Sequence, residues 1–175
     1  MPTYPSNQGL IMEKKLVLID CDGALTDGKL YMTANNDISL CFHVHDGMII
    51  SQLTKRQDVI IAIISGGKQP SCGHRAAYLN IKEYHPGVAN KAIVAKQLQE
   101  KYQVSTDNTI AIGDDINDIE MFSCAKIKIA VANAHPSLKK MATWVTEKNG
   151  GEGAVREALD RYFTIELKIT ENVNQ

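Results

Sequence analysis

Two carboxylates stand two residues apart in Asp20-Cys21-Asp22-Gly23, directly after the apolar run 16–19. A carboxylate there can attack phosphorus once a divalent cation offsets the repulsion between anions. A neighbouring carboxyl can protonate the leaving oxygen and later activate water. Asp20 is the candidate nucleophile and Asp22 the candidate acid/base; an acidic turn without chemistry competes for the tetrapeptide alone, since short motifs match by chance. A second apolar run, 59–64, ends in Ser65-Gly66-Gly67-Lys68, whose hydroxyl and backbone N–H groups can hold phosphate oxygens. An ordinary strand-to-helix turn reads the same way. Lys91, after His85-Pro86-Gly87, can spread charge from a transferring phosphoryl group or stand solvated. The run 109–112 ends in Gly113-Asp114-Asp115-Ile116-Asn117-Asp118, and clustered hard oxygens suit Mg²⁺. Asp114 is the second candidate ligand beside Asp20, while Asn117 or Asp118 reads as a cap of the next helix. Four such sites, in order at the ends or connections of successive runs, outweigh coincidence.

The elements that must position these residues alternate. Runs at 16–19, 59–64, 109–112 and 127–131 are apolar without polar alternation, the pattern of strands buried on both faces of a parallel sheet. Helical patterns fall between them: 47–55 after an Asp46 cap, 71–79 after Pro70, 90–102, and 118–124 after Asn117. This alternation predicts a doubly wound α/β fold with ligands outside the carboxyl ends of the strands. Segments 29–32 and 38–44 flank a polar turn with Asn35, Asn36 and Asp37, which predicts a β-hairpin inserted after the first strand. Such a hairpin is marginal alone, so a packing partner is expected, a neighbouring subunit among the candidates. Trp144 is expected in a late core strand.

The 175 residues and 44% hydrophobic content suit one domain, expected over 14–168, with an N-terminal extension (1–13) and a polar C-terminal tail (169–175). A net charge of -1 provides no basic stripe for nucleic acid or an anionic membrane. The residues before Leu16 lack the apolar run of a signal peptide, and no window is long enough to span a bilayer, so a soluble cytoplasmic protein is expected. Cys21, Cys41, Cys72 and Cys124 show no CxxC spacing and read as reduced thiols. Cys21 reads as a small buried hydrophobe whose oxidation would impair activity.

The DxDG, Ser, Lys and GDDxxD motifs, in this order from about residue 16 to 165, resemble those of the haloacid dehalogenase (HAD) superfamily of phosphatases. Within it, the hairpin, Phe42-His43-Val44-His45-Asp46-Gly47, Ala134-His135-Pro136 and Gly150-Gly151-Glu152-Gly153-Ala154-Val155-Arg156-Glu157 resemble the 3-deoxy-D-manno-octulosonate 8-phosphate (KDO 8-phosphate) and nonulosonate 9-phosphate phosphatases. The resemblance implies a capless Mg²⁺-dependent hydrolase of a phosphorylated sugar acid, with a place in lipopolysaccharide synthesis. It further implies a homotetramer in which hairpins and C-terminal segments of neighbours help to enclose the site. By position, Asp20, the backbone carbonyl of Asp22, and Asp114 would bind Mg²⁺; Ser65, Lys91 and Asn117 would contact the phosphate; His43, Val44, His45, Asp46, Gly47, Gly66 and Arg75 would line the substrate pocket. Octulosonate phosphatases commonly carry arginine at the positions of His45 and Gly67, and neither residue can imitate that charged fork; Lys68 compensates in part.

His43 and His45, two apart on an expected strand, share a face and read as a metal pair or, more commonly, as pocket lining. Rival functions are a non-catalytic phosphatase-like binding module, a phosphomutase and a receiver domain. A structural role places no demand on Asp20, Asp22, Lys91 and Asp114, the interval 22–44 is too short for a mutase cap, and the DxDG pair fits hydrolysis better than a receiver.

Overall fold

Leu16, Val17, Leu18 and Ile19 have no exposed surface, so strand β1 (Lys15–Ile19) needs a partner on each edge and a layer over each face. The computed structural model, which describes residues 13–163, provides them. A two-stranded hairpin, β2 (Tyr31–Met32) and β3 (Ile38–Ser39), follows β1, and then α1 (Val44–Leu53), β4 (Val59–Ile64) and α2 (Pro70–Tyr78). Next come β5 (Glu83–His85), α3 (Lys91–Tyr102), β6 (Thr109–Gly113), α4 (Ile119–Ser123) and β7 (Ile127–Ala130). The chain continues through α5 (Pro136–Met141), β8 (Trp144–Val145) and α6 (Ala154–Tyr162). The main sheet is parallel throughout, in the order β5-β4-β1-β6-β7-β8. Successive crossovers run outward from β1 through β4 to β5, then return to the other side at β6. That reversal opens a crevice at the carboxyl ends of β1 and β6, where ligands of open α/β sheets bind.

The α/β fold with its inserted hairpin and no large cap is as expected, but several boundaries differ. Strand β3 stops at Ser39 and α1 begins at Val44, so His43 and His45 do not share a strand. His43, not Asp46, caps α1, its ring nitrogen accepting from His45 N–H at 3.3 Å. Asp46 is instead buried, its Oδ1 accepting from Arg156 N–H at the start of α6 at 2.7 Å. Only tertiary contact between α1 and α6 creates that role. Asn90 caps α3 through Ile93 N–H at 3.3 Å, a bond of a kind worth about 1 kcal/mol. Strand β5 and helix α5 are too short for a hydrophobic period to announce them, whereas α6 buries Ala154, Val155, Ala158 and Leu159 at helical spacing; Trp144 does lie in a late strand, β8.

The cysteine expectation needs correction: Cys21 and Cys72 form a disulfide, while Cys41 and Cys124 are free. Spacing conceals this pair because 51 residues separate them; pairing of β1 with β4 brings the segments beyond both strands together. The expected extension and tail, and the end of the expected domain beyond 163, lie outside the described residues. Among the described residues no helix is long and apolar enough to cross a membrane.

Candidate active site

Asp20 is placed by sheet pairing. Its N–H donates to Ile112 carbonyl at 3.0 Å, extending the β1–β6 register one residue past the strand, so its carboxylate meets the loop after β6. The chain then makes a wide turn over Cys21–Leu25, with Gly23 at φ 108°. A Cβ at Gly23 would sit inside the Asp114 carboxylate, so glycine is required by both conformation and space. Buried Thr26 stabilises the turn, its Oγ1 accepting from Gly23 N–H at 3.1 Å and Gly28 N–H at 3.3 Å. From the other side, Gly150 packs so closely on the Gly23 carbonyl that any side chain would collide with it, which explains the glycine stretch near the end of the domain.

Asp20, Asp114 and Asp118 each offer a carboxylate oxygen, and these atoms lie within 4.8 Å of one another. Lys91 Nζ, 1% exposed, is paired with Asp20 and lies 2.6 Å from Asp118 Oδ1. Asp118 Oδ2 accepts from Asp114 N–H at 2.8 Å and Asp115 N–H at 3.3 Å, tying the Asp-rich loop to the lysine. Burial, then repulsion from Asp118, pushes the Asp114 carboxyl up to about 7. Burial and Asp118 also push Asp20 well up, against the pull of Lys91. Burial alone would lower Lys91, but Asp20 and Asp118 outweigh it and hold the ammonium above its usual range.

Three carboxylates against one ammonium leave two uncompensated negative charges when all are ionised. Hard oxygens with that excess suit a divalent cation that keeps some waters, so the donor set fits Mg²⁺.

Asp118 is the site residue that sequence reasoning assigned to capping alone. Asp118 does share a capping box with Asp115, but its second oxygen serves Lys91. Its presence in the same Asp-rich hexapeptide as Asp114 was the available signal.

Across the crevice, Ser65 Oγ donates to Asp22 Oδ2 at 3.1 Å and accepts from Gly67 N–H at 3.0 Å. Asp22 Oδ1 is buried and has no partner among the described residues, which leaves it free for proton transfer. A Cβ on Gly66 would be 3.9 Å from Asn117 Nδ2, so Asn117 reaches from the Asp-rich loop toward the Ser65 loop. Gly67 has no room for a side chain without movement, since its Cβ would come within 2.7 Å of Asp22 Oδ2 and closer still to Gln69 Oε1. A cavity of about 580 Å³ opens beside Gln69, lined also by Lys68, His74, Ser71, Asn36 and Asp37.

The expected pocket residues at the start of α1 form a separate group. The His43 and His45 rings meet edge to face at 4.9 Å, and the carboxylate triad is the only such group of three found among the described acids, histidines and cysteines. Val44 is exposed and Gly47 buried. Arg75 Nη2 donates to the His43 carbonyl at 3.3 Å, and its guanidinium lies over Phe42 at 5.6 Å and Tyr78 at 5.8 Å. It presses against Gly47 and makes no hydrogen bond to the carboxylate cluster among the described residues.

The sequence pattern of the haloacid dehalogenase-like hydrolases matches residues 73–159. The Escherichia coli (strain K12) 3-deoxy-D-manno-octulosonate 8-phosphate phosphatase KdsC is 36% identical over 161 residues, covering 92% of this chain and 85% of that relative. KdsC of Haemophilus influenzae is 36% identical over 146 residues, 83% of this chain and 81% of its own. In three dimensions, the cobalt-bound form of the Haemophilus influenzae phosphatase superposes with TM-score 0.80 at 35% identity, covering 86% of this chain and 87% of that one. The Moraxella catarrhalis phosphatase in complex with magnesium, phosphate and KDO gives 0.79 at 30% identity, covering 86% of each chain. With its carboxylates, lysine and serine gathered at one end of such a sheet, the chain belongs to the haloacid dehalogenase-like hydrolases, on their capless phosphatase branch.

Proposed function

We propose that the chain is a Mg²⁺-dependent phosphomonoesterase that works through an aspartyl-phosphate on Asp20 and acts on a phosphorylated 3-deoxy-2-keto sugar acid such as KDO 8-phosphate. The observation that carries this reading is the meeting of Asp20, Asp114 and Asp118 within 4.8 Å beside the Ser65–Asp22 pair. The relatives' names and the complex with magnesium, phosphate and KDO support the substrate class.

Asp20, the backbone carbonyl of Asp22, and Asp114 would hold the cation, with Asp118 within reach. When bound, Mg²⁺ neutralises phosphate charge and lets two anions approach. Lys91 holds the Asp20 carboxylate in the crevice. Ser65 Oγ and the neighbouring loop amides bind phosphate oxygens, with Asn117 opposite. An Asp20 oxygen forms a bond to phosphorus as the bond to the sugar oxygen breaks, and Asp22 gives that oxygen its proton. Asp22, now ionised, takes a proton from water; the water oxygen bonds to phosphorus and the Asp20–phosphorus bond breaks, regenerating the carboxylate. In-line positioning by fixed groups supplies much of the rate.

The sugar acid would occupy the cavity beside Gln69, with Lys68 as its cation and His74 in the lining. Gly67, next to Lys68, carries no side chain where octulosonate phosphatases commonly carry arginine, and a nonulosonate 9-phosphate is the second reading. Leu30, Tyr31 and Met32 are 52%, 46% and 62% exposed, which supports the hairpin's burial against further copies in a homotetramer.

Asp20→Asn tests the chemistry. Phosphate release from KDO 8-phosphate and para-nitrophenyl phosphate should vanish with melting temperature preserved, and near-normal turnover refutes the assignment. A panel of eight- and nine-carbon keto-acid phosphates and ordinary sugar phosphates ranks the substrates; equal, feeble rates refute the sugar-acid specificity.

A further inference from the structure

The Cys21–Cys72 disulfide joins the two walls of the catalytic crevice. Cys21 stands between the nucleophile and the acid/base, and its carbonyl accepts from Thr26 N–H at 3.0 Å within the turn that carries Asp22. Cys72 lies in the first turn of α2, its N–H bonded to the Gln69 carbonyl at 3.2 Å. From Gln69 the chain leads back through Lys68, Gly67 and Gly66 to Ser65. The crosslink therefore ties together the backbone segments whose side chains meet as Ser65 Oγ and Asp22 Oδ2.

Asp20 and Asp22 are held very unequally. Asp20 has strand pairing and the Lys91 ion pair. Asp22 has one side-chain hydrogen bond among the described residues, to Ser65, and its other oxygen is unpartnered. One neutral donor is a weak restraint, and the backbone at Asp22 and Gly23 leaves helical geometry. A covalent tie from the adjacent residue to α2 is the firmest link between that turn and the Ser65 loop.

We propose that Cys21 and Cys72 are positioning residues: their bond holds Asp22 against the phosphate cradle, and opening it costs acid/base catalysis before it costs the fold. This rests on the hydrolase reading above. In opening, a thiolate of an added dithiol attacks one sulfur, the Cys21–Cys72 bond breaks and a mixed disulfide forms. The reagent's second thiolate then displaces the protein sulfur, leaving two protein thiols and an oxidised cyclic reagent, with two electrons and two protons transferred. A bond of about 2 Å becomes a contact nearer 4 Å, so the crevice walls separate or the side chains rotate. Displacement of about 1 Å near a reacting centre is enough to lower a rate steeply.

The test compares protein incubated with excess dithiothreitol, protein incubated with oxidised glutathione, and Cys72→Ser. Free thiols are counted by alkylation and mass spectrometry. Steady-state rates are measured on an alkyl phosphate, whose leaving oxygen needs a proton, and on para-nitrophenyl phosphate, whose leaving group needs little. With the bond open, kcat/KM on the alkyl phosphate should fall about 10- to 100-fold, within the range general acid catalysis supplies. The fall on para-nitrophenyl phosphate should be smaller, with KM nearly unchanged. Cys72→Ser should match the reduced protein and ignore reductant, whereas Cys41→Ser and Cys124→Ser should keep the response.

Equal rates in all three states overturn the proposal, as does an equal loss on both substrates that merely follows a drop in melting temperature. Free thiols at Cys21 and Cys72 after the oxidised incubation overturn it too, since an intact bond leaves only Cys41 and Cys124 to be alkylated. If the native pair resists dithiothreitol, Cys72→Ser decides. If no state hydrolyses any phosphate, the hydrolase reading fails and hydrogen exchange at the Gly67 amide decides the crosslink's role. Faster exchange in Cys72→Ser supports positioning, and unchanged exchange refutes it.

Discussion

Lys91→Met separates an electrostatic brace from a surface cation. The Lys91 ammonium is 1% exposed and paired with two carboxylates that are themselves 4% and 0% exposed. Methionine keeps the stem's length and removes the charge, stranding Asp20 and Asp118 beside Asp114. Removing one partner of a buried ionic group costs about 3–5 kcal/mol. For a protein of this size each kcal/mol lowers the melting temperature by about 2–4 °C, so a drop of about 6–20 °C is expected in metal-free neutral buffer. The sign with pH is definite: Lys91 opposes the upward push on Asp20, so without the ammonium Asp20 binds its proton more tightly in the folded state, and the deficit shrinks in mildly acidic buffer and widens as pH rises. Mg²⁺ should narrow it at neutral pH, and turnover should be lost throughout. Differential scanning calorimetry with and without EDTA and Mg²⁺ reads all three effects. A variant melting within about 2 °C of wild type in metal-free neutral buffer refutes the brace, since that gap is below about 1 kcal/mol.

Metal removal should abolish turnover, and Mg²⁺ should restore it; full activity in a verified metal-free sample counts against the cation. The folded pKa of Asp114, about 7 against an ordinary 3.8, means the native state holds this proton more tightly. Its contribution therefore falls as pH rises through that window, by on the order of 4 kcal/mol at most; in urea titrations of metal-free protein, Asp114→Asn should lack this decline, and parallel pH profiles refute it. Gly23→Ala should cut Mg²⁺ affinity measured by calorimetry, because its Cβ needs the space of the Asp114 carboxylate; unchanged affinity refutes the crowding. Asp46→Ala should cost about 1–2 kcal/mol by loss of the bond to Arg156 N–H, while Asp46→Asn keeps an acceptor and melts near wild type. A raised KM in Asp46→Asn would support the expected substrate contact at Asp46, and an unchanged KM would refute it.

The chemistry was legible where it depended on order along the chain. Asp20, Ser65 and Asp114 follow buried apolar strands, and a parallel sheet necessarily brings the carboxyl ends of such strands to one edge. Lys91 could be located in sequence at a helix start, but its pairing with Asp118 could not, because that requires α3 and the loop after β6 to converge. Asp118 sat inside a visible motif and was hidden by its capping role; one carboxylate has two oxygens, and only coordinates show that Oδ2 serves the loop amides while Oδ1 serves the lysine. The short polar segment from His43 to Gly47 lacks a decisive period, so neither the strand end nor the cap is legible there, and burial against α6 decides the fate of Asp46. Cys21 and Cys72 show the limit most directly. Local spacing registers neighbours along the chain, whereas their bond depends on β1 lying beside β4, a long-range pairing whose entropic cost is met only when the whole sheet assembles.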